Sequence, residues 1–133
     1  MRYGLSMRDE YHSKKALRDH AGLEAEILQE MAEALGNAGE RVERAIERTQ
    51  TAGLAVKELR VRLAETVNTG EAQRIAERLR EALQSYRSLR QEAIQQYRYF
   101  IIHREAVGFR NHKLVQEKYR IPPPMGWPSQ DPT

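Results

Sequence analysis

The sequence predicts an all-α protein built on a long antiparallel helical hairpin, coiled-coil-like, that pairs with a second copy in a four-helix core. Three observations predict it. Apolar residues recur every 3.5 positions from Leu28 to Val107, the period of coiled-coil packing. The only strong break in that pattern is Val67-Asn68-Thr69-Gly70-Glu71. Folding the chain there brings seam onto seam, with paired positions summing to about 138 by antiparallel geometry. Leu59 then meets Leu79, Val56 meets Ala82, Ala52 meets Tyr86, Ala45 meets Ala93 and Ala38 meets Phe100. The largest side chains, Tyr86 and Phe100, each face an alanine, which keeps the layers even in volume.

In chain order, residues 1–22 read as an N-terminal extension. Residues 1–5 are expected to be extended. Ser6 followed by Asp9 has the form of a capping box, so a short helix is expected from Met7 to about His20, with Gly22 as its stop. The hairpin occupies 23–119, with helices at about 23–66 and 70–119 and the turn at 67–70. Asn68 and Gly70 both tolerate left-handed backbone angles, and Thr69 is a fair N-cap for the second helix. Gly36 and Gly39 weaken the first helix at one place. We expect Gly39 to mark close packing against Phe100 rather than a hinge, because the heptad phase passes through undisturbed. Gly108 is a candidate interruption of the second helix. Residues 120–133 form a proline-rich extended tail, since Pro122-Pro123-Pro124 cannot continue a helix.

The hairpin seam does not use all the apolar surface. Ile94, Tyr97 and Ile101 form a second stripe on the second helix, and Tyr99 and Ile102 add to it. Ile46, Leu54, Val61 and Leu83 also lie off the seam. Leaving that much apolar surface wet is unusual for a monomer, so a homodimer is expected. The tail residues Ile121, Met125 and Trp127 are expected to fold back over the second stripe. Ile94, Tyr97, Tyr99, Ile101, Ile102 and Trp127 are thus the candidate interaction residues.

Composition narrows the function. Charged residues make up 31% and hydrophobic ones 40%, with no cysteine, which fits long solvated helices and excludes disulfide and thiolate chemistry. No apolar run approaches the ~18 residues of a membrane span, and a cytoplasmic location is expected in the absence of a signal-like start. No histidine has a glutamate three residues before it, so the paired ligands of a di-metal bundle are missing. His103 and His112 fall on opposite helix faces, and His103 at a seam position reads as a half-buried polar layer. No phosphate loop or nucleophile motif is present. No catalytic residue, cofactor or metal is therefore expected, and no enzyme.

The expected function is a structural or adaptor module that mediates protein–protein interaction or assembly. One alternative is nucleic-acid binding through the basic 98–120 segment, with Arg98, Arg104, Arg110, Lys113, Lys118 and Arg120 as anion contacts. Another is peripheral attachment to a membrane surface. The block Glu24, Glu26, Glu30 and Glu33 is expected to neutralise part of that basic segment.

Overall fold

The computed structural model describes residues 7–128, with side chains from residue 12 onward. The expectations for residues 1–5, for the Ser6–Asp9 box and for the tail past residue 128 lie outside the described residues. Those residues are all-α. Helix α1 spans Met7–Glu65, α2 Thr69–Ala106 and α3 Lys113–Lys118. No described helix is long and apolar enough to cross a membrane. The chain divides into two compact units between Gly36 and Asn37.

α1 is one helix, not a short helix followed by a long one. It runs through Gly22 without a break. A helical glycine costs only about 1 kcal/mol against alanine. The neighbours Ala21 and Leu23 supply no side-chain cap for a new start. In the unit up to Gly36, every described side chain from His12 to Glu30 is exposed, and Met31 and Leu35 are half-buried. The local pairs there are His20–Glu24, at 3.0 Å, and Gln29 donating to Glu33 at 3.3 Å.

The second unit carries the core. Ala38, Val42, Ala45, Ile46, Thr49, Val56 and Leu59 of α1 are buried, as are Ile75, Leu79, Leu83, Tyr86, Ala93 and Phe100 of α2. Thr49, fully buried, donates its hydroxyl to the Ala45 carbonyl at 2.8 Å, which satisfies a polar group that burial would otherwise penalise. Of the residues expected off the seam, Ile46 and Leu83 are buried by their own chain, whereas Leu54 and Val61 are exposed. His103, expected to form a half-buried layer, is exposed.

Two close approaches fix how α1 and α2 pass. A Cβ on Gly39 would stand 3.4 Å from the Phe100 ring, and one on Gly53 would stand 3.1 Å from Tyr86. Fourteen residues forward on α1 therefore correspond to fourteen back on α2. Gly39 serves close packing, as expected. Gly53 does the same under the largest buried ring.

The connection is Thr66-Val67-Asn68. Asn68 caps α2, accepting from the Glu71 amide at 3.0 Å with extended backbone angles. The expected cap, Thr69, is already the first helical residue. Asparagine ranks above threonine at this position, and its oxygen reaches the third amide on. Thr66 ties off α1 by donating its hydroxyl to the Arg62 carbonyl at 2.6 Å.

α2 ends at Ala106 and does not run to 119. Gly108, at φ +103, takes the left-handed conformation that glycine tolerates best. Its amide bonds to the Glu105 carbonyl at 3.1 Å, and the Phe109 amide to the Arg104 carbonyl at 2.9 Å. That pair of bonds is a Schellman motif, which satisfies the last carbonyls and stops the helix. The short α3 follows, its Lys113 amide held by the Asn111 side chain at 3.0 Å.

Candidate interaction surface

The six candidate interaction residues do not form one surface. Trp127 is separated from the rest. With Met125 it packs on the core group Val56, Leu59, Ile75, Leu79, Leu83 and Tyr86, and the Arg80 guanidinium lies 5.1 Å from its ring centre. Arg80 precedes Tyr97 by 17 residues of α2, about 25 Å of helix. The tail does fold back, but not over the second stripe.

Polar contacts hold it in place. The Tyr86 hydroxyl donates to the Pro123 carbonyl. Arg90 Nε donates to the Pro122 carbonyl at 2.8 Å, and the Arg60 guanidinium donates to the Gly126 carbonyl. An extended proline-rich segment has carbonyls with no internal partner, so the donors from both helices meet a ready set of acceptors. Gly53 leaves room for Tyr86, and a groove lined by Gly53, Leu54, Lys57, Tyr86, Pro123 and Met125 runs beside the tail. Sequence reasoning missed Gly53, Arg60, Arg80 and Arg90. The only signal for the three arginines was their place beside a seam that already had its apolar residues.

Burial holds the Tyr86 phenol above its ordinary pKa of 10.0, with Arg90 opposing in part. Tyr97 is raised by burial as well, with Arg104 opposing. The folded state thus holds these protons more tightly than the unfolded chain. Their contribution is intact below the ordinary tyrosine value and is lost as pH rises through it towards the folded value. We expect the melting temperature to fall above about pH 10, and to fall less steeply in Tyr86→Phe, which starts lower by one hydrogen bond, about 1 kcal/mol. Thermal melts across the alkaline range check this; parallel slopes for the two proteins would count against Tyr86 as the source.

The remaining stripe is partly exposed. Tyr97, Arg98, Ile101 and Ile102 line a shallow apolar depression. Ile102 is 60% exposed, and Ile94, Tyr97 and Ile101 are half-buried. Tyr99 lies on another side of α2, its hydroxyl accepting from Gln95 at 3.1 Å.

Among the basic candidates, Arg104 is engaged within its own segment. It donates to His112 Nδ1 and to the Asn111 carbonyl, each at 3.1 Å, and lies 4.8 Å from the Phe109 ring centre. Glu105 stands 3.6 Å from His112 on its other side. Lys118 sits over the Tyr119 ring. Arg98, Arg110, Lys113 and Arg120 are exposed. Among the described residues, no three His, Asp or Glu side chains stand together as a metal site would require. Comparison with known proteins found no match: no family, no curated protein and no solved structure resembles the chain.

Proposed function

We propose that the protein is a non-enzymatic structural or adaptor module, a coiled-coil-like antiparallel hairpin that mediates assembly by pairing with a second copy in a four-helix core. The observation that carries this reading is the partly exposed apolar depression on α2 at Tyr97, Ile101 and Ile102. Met125 and Trp127 of the tail pack elsewhere, on the core group around Tyr86. Burying a large apolar side chain contributes about 1.5–3 kcal/mol, a sizeable share of a small domain's stability. A face of this kind on a long helix suits a groove-to-helix or helix-to-helix contact. A chain with these properties would act within the cytoplasm by holding partners at a fixed separation.

Light scattering alongside circular dichroism tests the reading. The wild type is expected to be a dimer. Ile94→Glu with Ile101→Glu is expected to remain helical while associating more weakly and melting earlier. A wild type that is monomeric at high micromolar concentration would sink the dimer.

A further inference from the structure

The first unit presents a second apolar face. Leu17, Leu28, Met31 and Leu35 fall on one side of α1, with Ala21 and Ile27 beside them. Leu17 is 68% exposed and Leu28 66%. This is the heptad stripe whose later positions, Ala38, Val42 and Ala45, are buried. α1 has 59 residues, and every described side chain from His12 to Glu30 on it is exposed. Helices in water draw most of their stability from packing an amphipathic face, and this length of helix has none of its own.

We infer that this stripe is an interface for a second copy of the chain, packed antiparallel over residues 14–31. The charge of the segment itself selects that occupant.

It also selects the direction. Lys14 and Glu24 occupy seam positions, and the segment is basic at Lys14, Lys15 and Arg18 but acidic at Glu24, Glu26, Glu30 and Glu33. A parallel pair would stack Lys14 on Lys14 and Glu24 on Glu24, a like-charge juxtaposition that opposes association. An antiparallel pair lays the basic half over the acidic half. The register in which paired positions sum to 45 sets Leu17 against Leu28 twice, Ala21 against Glu24 twice and Lys14 against Met31 twice. The two-fold axis then passes between Gly22 and Leu23, and the contact is self-complementary, as a two-fold interface must be. This interface is independent of the α2 face and uses none of its residues.

The absence of cysteine makes the test clean. Leu17→Cys and Leu28→Cys are made as separate full-length variants and oxidised alone and mixed after exchange of subunits. In the antiparallel register, residue 17 and its own copy are 11 residues apart along the axis, about 16 Å. A disulfide needs Cα atoms within about 7 Å, so the mixture is expected to give roughly tenfold more covalent dimer than either variant alone. Crosslinking of each variant with itself, and not in the mixture, would establish a parallel pair and overturn the inference. No covalent dimer in any tube, while light scattering still reports a dimer, would overturn it and leave the α2 face standing. The mixed crosslink is expected to persist when Ile94→Glu and Ile101→Glu are added; its loss there would show that the α1 stripe is no interface of its own.

Discussion

A chain ended after Arg120 is expected to lose about 3 kcal/mol of stability in its second unit, or about 12–20 °C in melting temperature. Met125 and Trp127 cover the core group around Tyr86 and Leu79. Removing two half-buried large side chains forfeits about half of the 1.5–3 kcal/mol each would supply if fully buried. The three bonds from Tyr86, Arg90 and Arg60 to tail carbonyls add about 0.5–1.5 kcal/mol apiece, before the freed groups are rehydrated. Circular dichroism melts of the shortened chain measure the loss. A melting temperature within two or three degrees of the full-length value would mean that the docked tail contributes little. Aggregation of the shortened chain at room temperature would carry the same message as a lower melting point, since the uncovered groove is apolar.

The second large effect is expected at Ala45. Ala45 and Ala93 are both buried, and the Gly39–Phe100 and Gly53–Tyr86 approaches place them within one residue of the same level. Ala45→Leu adds three carbons at a position only 2% exposed, and overfilling of this sort costs about 1–3 kcal/mol. Ala34→Leu, at an exposed position of the same helix, is expected to stay within about 0.5 kcal/mol of the parent. Equal denaturation midpoints for the two variants would contradict the assignment of Ala45 to a closed level.

Much of the core was legible in the sequence because a 3.5-residue period is long, redundant and set by side-chain type alone. Val42, Thr49, Val56, Leu79 and Tyr86 announce themselves by spacing, and each is buried. The break near Asn68 was legible too, although the cap fell one residue early. Helix ends are decided by competition between a few hydrogen bonds, and adjacent Asn68 and Thr69 are both N-cap residue types. The point at which α2 stops was less legible. Gly108 signals an interruption, but only the bonds from Gly108 and Phe109 to Glu105 and Arg104 make it a terminus. The continuity of α1 through Gly22 misled for the opposite reason: a glycine weakens a helix without ending it unless flanking residues supply caps. Of the candidate surface, the Tyr97–Ile102 face was legible as an excess of apolar residues over what one seam can cover. The place where the tail docks was not. It depends on arginines at ordinary solvent-side positions and on one glycine, Gly53, whose role appears only when Tyr86 is set beside it.

Trp127 is the sole tryptophan of the chain, and it sits on the tail against Arg80 and the core. Indole fluorescence therefore comes from a single place and registers the seating of the tail, while far-ultraviolet dichroism registers the helices. Followed together through a denaturant titration, the two signals form a test of cooperativity. Coincident curves would make tail and helices one folding unit. An emission change that comes first would mean that the strap leaves while the helices persist, giving the molecule a second folded form with its groove open.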